Sequence, residues 1–266
     1  MILQYENITS KSNNTIKDAA KLVNSAKYRK QTGKFIIEGL RLCEDAYLSG
    51  IKIDKVFVTN NLLQKHTLII KQLEEKSNSL YMINTEIASK LCDTEHPQGI
   101  FCVCDMLDKY KALVKIENTG KFLILENISD PSNIGAIART AEALGINGIL
   151  ISEGCCDIYN PKALRASMGS LFRIPVKICP DIIKEVIELN KQGMMTLAAV
   201  PSDKAELITN LDLKRGCVVA IGNEGNGLTE KMKQACQKYV TIPMRGRAES
   251  LNAAMAAGII MWEMMR

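Results

Sequence analysis

The chain has 266 residues, of which 47% are apolar and 24% charged, with a net charge of +5. That length and balance allow two domains with packed cores and exclude a disordered or low-complexity chain. No apolar run approaches the roughly 20 residues that span a bilayer, and the opening MILQYENITSKSNN lacks the charged-then-apolar order of a signal peptide, so a soluble cytoplasmic protein is expected.

In chain order, residues 15–31 read as a helix, with Ile16, Ala19, Ala20 and Val23 forming a partial apolar stripe. Charge is concentrated here. Between Lys11 and Lys34 stand seven basic residues against one acid, Asp18, a local +6 that exceeds the whole-chain excess. Such a block suits a polyanion such as RNA, and equally a solvated helix face. From Lys34 strands and helices alternate: KFIIE, DKVFVT, SLYMI and GIFCVCDM as strands, with GLRLCEDAYLSG, NLLQKHTLIIKQLEEK and TEIASKLC as helices. These four strands make a small α/β domain over residues 1–106. Residues 107–119 are charged and weakly periodic and read as a linker.

A second α/β series fills 120–266. KFLILENI, INGILIS, LFRIPVKI, MMTLAAV, CVVAIG and YVTIP are its strands. NIGAIARTAEALG, NPKALRASMG, DIIKEVIELNKQG, LTEKMKQACQ and ESLNAAMAAGIIMWEMM are its helices. Apolar strands alternating with helices indicate a mostly parallel sheet covered on both faces. The nine cysteines fall mostly in apolar runs and read as buried free thiols rather than disulfides. No CxxC pair exists and the two histidines lack ligand spacing to a cysteine, so no metal site is expected.

Three stretches of the second series carry candidate chemistry. In NISDPSNIGAIARTAEALG, Asp130 and Pro131 suit an N-cap and first helical position. Asn133 and Arg139 lie about 120° apart on a regular helix and can share a site only if Asn133 sits at the helix entrance. An ion pair of Arg139 with Glu142 is the plainer alternative. In IGNEGNGL the three glycines allow close backbone approach to a ligand. Its GxxGxG spacing is neither a P-loop nor the dinucleotide fingerprint, and a simple helix-entry loop is the alternative. IPMRGRAESLN leads into an apolar terminal helix, with Ser250 a candidate N-cap. Leu251, Ala254, Met255, Gly258, Trp262 and Met265 form a stripe that suits a core or a subunit interface.

Together the order N-x5-R-T-A, IGNEG-x-GL and IPM…ESLN closely resembles the SpoU (TrmH-like) family of RNA 2′-O-ribose methyltransferases, of the SPOUT superfamily. YRKQTGKFIIEGLRLCEDA and HPQGI resemble that family's substrate-binding domain. The resemblance implies a parallel-sheet SPOUT domain with a trefoil knot, S-adenosylmethionine as cofactor, and a homodimer through the C-terminal domain. It implies Gly222, Asn223, Ile242, Met244 and Leu251 as cofactor-binding residues, with the strand end at Ala199–Pro201 beside them. Asn133, Arg139, Glu224, Ser250 and Asn252 would be catalytic, with Arg139 a phosphate anchor rather than a base, because arginine is rarely deprotonated. Arg29, Lys30, Lys34, Arg41, Arg165, Arg245 and Arg247 are the expected RNA contacts. Ribosomal RNA of the large subunit is the expected substrate, with transfer RNA, or an inactive RNA-binding relative, as alternatives.

Overall fold

The structure, a computed structural model, describes residues 5–107 and 119–266. The expected linker lies almost wholly in 108–118, outside the described residues. The chain divides into two compact units. One takes Met1–Leu107 together with Tyr159–Phe172, the other Asp108–Ile158 with Arg173–Arg266.

The first unit runs β1 (Glu6–Ile8), α1 (Asn14–Asn24), α2 (Ala26–Thr32), β2 (Lys34–Glu38), α3 (Leu40–Leu48), β3 (Ile53–Thr59), α4 (Asn60–Lys65), α5 (Thr67–Glu75), β4 (Ser77–Ile83), α6 (Thr85–Leu91) and β5 (Ile100–Asp105). Its sheet order is β1-β4-β3-β5-β2. β5 runs antiparallel to both neighbours, so this sheet is mixed. The helix expected over 15–31 is two helices. Ser25 leaves helical geometry and accepts from Tyr28 N with its hydroxyl, ending one helix and capping the next. His66 breaks the third expected helix by leaving helical geometry, with φ −132° and ψ 41°, and without a side-chain cap bond. β1 was not apparent in the sequence, because three residues carry no readable alternation.

The second unit begins with β6 (Lys121–Leu125), α7 (Pro131–Leu144) and β7 (Gly148–Ser152). The chain then supplies α8 (Pro161–Ser167) and α9 (Ser170–Arg173). The first of these corrects the expectation of an unbroken domain over 120–266. α8 packs on β2, and Tyr159 and Phe172 pack on Phe35, so 159–172 is built into the first unit. The second unit continues with β8 (Val176–Cys179), α10 (Ile182–Lys191), β9 (Met195–Ala199), β10 (Glu206–Leu207), a 3-10 turn at Ile208–Asn210, β11 (Cys217–Ile221), α11 (Glu230–Ala235), β12 (Lys238–Thr241) and α12 (Ala253–Met265). The strand expected at LFRIPVKI starts only at Val176, because Pro175 has no amide hydrogen to give the ladder.

All seven strands of this sheet are parallel, in the order β10-β12-β9-β11-β6-β7-β8. β7 and β11 are buried along their whole length, which is why they read as continuous apolar runs rather than alternations. Phe122, Ile124, Val218 and Ala220 pack with Val186 and Leu189 of α10 and Met232 of α11. α12 packs on α7 and on β11, and Gly258 lets it come within 3.9 Å of Thr140, measured from where a Cβ would stand. The carboxyl ends of β6, β9, β11 and β12 thus deliver their loops to one rim, where open α/β sheets place ligands.

Candidate active site

The loop after β11 is held in a narrow turn. Asn223 and Gly227 exchange both backbone hydrogen bonds, at 3.1 and 2.9 Å, and the Asn223 side-chain oxygen accepts from Gly225 N and Asn226 N. Gly222 has no room for a side chain, since a Cβ there would lie 2.2 Å from the Gly227 carbonyl carbon. Asn223 Nδ2 donates to Asn127 O at 2.8 Å, tying this loop to the one after β6.

Glu224 is the centre of the arrangement. Its carboxylate accepts from Ser129 N (3.0 Å), Ser129 Oγ (2.7 Å), Asp130 N (3.1 Å) and Asn133 Nδ2 (2.7 Å). Partial burial alone would raise the pKa of this carboxyl, but the Asn133 and Ser129 donors outweigh it and hold it at about 2. Asn133 sits in the first turn of α7, behind the Asp130 cap that accepts from Ser132 N, and is itself buried. With Nδ2 on Glu224, its oxygen points to Asn252, whose Nδ2 donates to it at 3.1 Å. Three sequence-expected residues therefore form one chain, Glu224–Asn133–Asn252.

The expected cap of the terminal helix is corrected. Asn252, not Ser250, is the N-cap of α12, its oxygen accepting from Ala254 N and Met255 N. An Asn side chain spans this geometry as well as Ser does. Ser250 is exposed two residues earlier and lines the adjoining cavity. Arg139 is exposed on α7 and makes no contact with this chain among the described residues. Its alternative partner Glu142 is engaged by Arg173, whose Nη2 donates at 3.0 Å and whose Nε also donates to it.

Beside the Glu224 chain lies a cavity of about 500 Å³. Gly222, Asn223, Ile242, Met244 and Leu251 all line it, as do Glu224, Ser250 and the strand end Ala199–Pro201. Its floor is apolar, from Ile221, Leu228 and Ile260, and its rim carries Glu249. The volume suits a nucleoside-sized ligand. No cluster of three potential metal ligands occurs among the described residues.

The residues expected to bind RNA divide. Lys30, Arg41, Arg245 and Arg247 are exposed. Arg29 is corrected: it is 2% exposed, and its Nη1 donates to Leu22 O (2.6 Å) and Val23 O (3.0 Å), closing the C-terminal end of α1. Lys34 is also corrected, because its ammonium pairs with Asp54 at 3.0 Å and Asp105 at 2.9 Å. Burial works against its charge, but the two carboxylates prevail and its pKa is raised. Arg165 grips Asp93 in a two-pronged pair, donating from Nη2 at 3.0 Å and from Nη1. Sequence reading assigns these cations by type and cannot see the carbonyls and carboxylates that answer them.

Sequence reading also missed Glu126, Ser129 and Thr229, which fasten the two loops. A carboxylate closing the apolar run LILE was the available signal.

Comparison with known proteins adds to this geometry. Residues 120–262 match the model of the SpoU rRNA Methylase family, and residues 13–102 match the MRM3-like substrate binding domain. The 23S rRNA (guanosine(2553)-2'-O)-methyltransferase RlmP of Bacillus subtilis is 31% identical over 257 residues, covering 97% of this chain and 98% of its own. An uncharacterised tRNA/rRNA methyltransferase of Synechocystis is 30% identical over 259 residues, covering 97% and 93%. The AdoMet-bound rRNA methyltransferase of Sinorhizobium meliloti superposes with a TM-score of 0.85 at 27% identity, over 98% of this chain and 97% of that one. No helix among the described residues is long and apolar enough to cross a membrane.

Proposed function

The chain belongs to the SpoU rRNA methylase family, and we propose that it methylates a ribose 2′-hydroxyl of 23S ribosomal RNA with S-adenosylmethionine as donor. The observation that carries this reading is the Glu224–Asn133–Asn252 chain standing at the edge of a nucleoside-sized cavity. When bound, S-adenosylmethionine supplies a methyl group on a positively charged sulfur. Gly222, Asn223, Ile242, Met244 and Leu251 hold it through backbone groups and apolar contact.

The residues of the site then divide into positioning and contact. Glu224 is a poor base: with its pKa held at about 2 the carboxylate binds a proton only weakly, and four donors occupy its oxygens. It fixes the Asn133 amide, which fixes Asn252, which fixes the first turn of α12. Asn252 has its oxygen committed to two amides and its nitrogen to Asn133. That leaves Ser250 at the cavity edge to align the hydroxyl, and the substrate's own phosphate to receive its proton. Arg139, exposed and without Glu142 as a partner, anchors a phosphate and lowers the pKa of the adjacent hydroxyl.

The first unit, with exposed Lys30 and Arg41, serves as the RNA-binding domain, and Arg245 and Arg247 contact phosphates nearer the target. A homodimer through α12 is supported by Met255, Ile259, Trp262 and Met265, which leave an apolar face exposed, Met255 at 63% and Trp262 at 59%. A trefoil knot is supported by the return of the chain after β12, through the cavity-lining segment, to pack α12 on β11 and α7. A ribosomal RNA substrate is what supports a cytoplasmic location.

Incubating the protein with methyl-labelled S-adenosylmethionine and 23S rRNA transcripts tests the reading. Label should enter the RNA at a linkage that resists alkali, as a 2′-O-methylated nucleotide does. Label confined to a base, or absent, would overturn it.

A further inference from the structure

Two segments of the second unit hold each other through one carboxylate apiece. Glu224, on the loop after β11, reaches to Ser129, Asp130 and Asn133. Glu126, at the end of β6, reaches the opposite way and accepts from Thr229 N at 2.8 Å and Thr229 Oγ1 at 2.7 Å. The Glu126 amide also donates to Ile221 O at 2.9 Å. Ile221 and Thr229 are the two ends of the glycine loop, so both ends are fastened to one residue.

Glu126 is 4% exposed, and its described partners are an amide and a hydroxyl, with no ion pair among the described residues. A buried carboxylate held by neutral donors is costly to disturb, because losing either donor leaves a charge poorly solvated. Between its two anchor points lie Gly222, Gly227 and Leu228, all of which line the cavity. Glu126 therefore holds both ends of the loop that borders the cavity at Leu228.

We propose that Glu126 is a positioning residue for cofactor binding, and that the two carboxylates divide the work. Glu126 shapes the cavity through Thr229, whereas Glu224 orders Asn133 and Asn252 on the nucleotide side. This inference rests on the methyl-transfer reading above. It assigns affinity for S-adenosylmethionine to Glu126 and turnover to Glu224, a split that a merely structural role for either would not produce.

Calorimetric titration with S-adenosylmethionine, paired with steady-state methylation of RNA, tests it on the full chain. Glu126→Gln should raise the cofactor Kd at least tenfold, while kcat at saturating cofactor falls less than threefold. Glu224→Gln should reverse the pattern, with kcat down more than tenfold and by a larger factor than Kd rises. Thr229→Val removes the hydroxyl that donates to Glu126 and caps α11 by accepting from Met232 N, and should raise Kd several-fold, whereas Thr229→Ser keeps both bonds and should restore it. The Thr229 pair carries the test if Glu126→Gln does not fold. An unchanged Kd in both Glu126→Gln and Thr229→Val, or the same pattern from both carboxylate variants, would overturn the inference. Wild-type protein that bound no S-adenosylmethionine would instead overturn the reading beneath it.

Discussion

Asn252 Nδ2 donates to Asn133 Oδ1 at 3.1 Å across 119 positions of the chain. The bond joins the first turns of α7 and α12, the two helices that pack on one another in the second unit. It makes one residue both a helix cap and a link to the site, and the two roles can be separated.

Asn252→Ala should lose both, with a stability cost of about 1 kcal/mol from the cap and methylation reduced at least tenfold. Asn252→Asp keeps an oxygen for the Ala254 and Met255 amides but faces Asn133 Oδ1 with an acceptor. Its melting temperature should stay near wild type while activity falls as far as in the alanine variant. Equal activity of wild type and Asn252→Asp would show the link to be dispensable.

Glu224 sets a pH dependence. Its folded pKa of about 2 lies below the ordinary glutamate value of 4.5. The carboxylate therefore contributes stability that is fully present above about pH 4.5 and is lost as pH falls toward 2. Acid unfolding of Glu224→Gln should show a shallower fall in that window than wild type. Identical acid profiles would mean that the donors around Glu224 do not favour its charged form.

Arg139→Ala should cut single-turnover methyl transfer more than tenfold with cofactor affinity unchanged, since Arg139 is exposed and does not line the cavity. Unimpaired transfer with RNA still bound would remove Arg139 from the reaction.

The basic residues of the first unit separate by experiment as they do by burial. Lys30→Ala and Arg41→Ala should each reduce the slope of log affinity against log salt by about 1. Arg29→Ala should leave that slope unchanged and lower stability by about 1.5–3 kcal/mol, because a charged donor to two buried helix-end carbonyls is lost. A changed slope in Arg29→Ala would return it to the RNA surface.

Trp262→Glu should yield a monomer by analytical ultracentrifugation if α12 joins two copies, since it puts a charge in the centre of the exposed apolar face. An unchanged sedimentation coefficient would place the interface elsewhere.

Much of this was legible in the chain. The parallel sheet could be read because β6, β7 and β11 are unbroken apolar runs between helices with 3.6-residue stripes. The cavity loops could be read because glycines at 222, 225 and 227 follow directly on β11. What could not be read is pairing across sequence distance. Nothing in Lys34 announces Asp54 and Asp105, and nothing in NPKALRASMG shows that this helix joins the first unit. Helix termini were ambiguous where two caps compete, as Ser250 and Asn252 do. The proposed knot would have no periodic signature at all, since it would depend on the path of the chain rather than on its local pattern.

The contact of Gly222 with Gly227 has a genetic consequence. Every single-nucleotide change that replaces glycine by another amino acid adds a Cβ, and at 222 that atom would meet backbone at 2.2 to 2.4 Å. Backbone cannot swing aside as a side-chain tip can, so no replacement is mild. Random mutagenesis with selection for methylation should return codon 222 with synonymous changes only, while codon 225, where the nearest atom is a side-chain oxygen at 3.6 Å, accumulates alanine and serine.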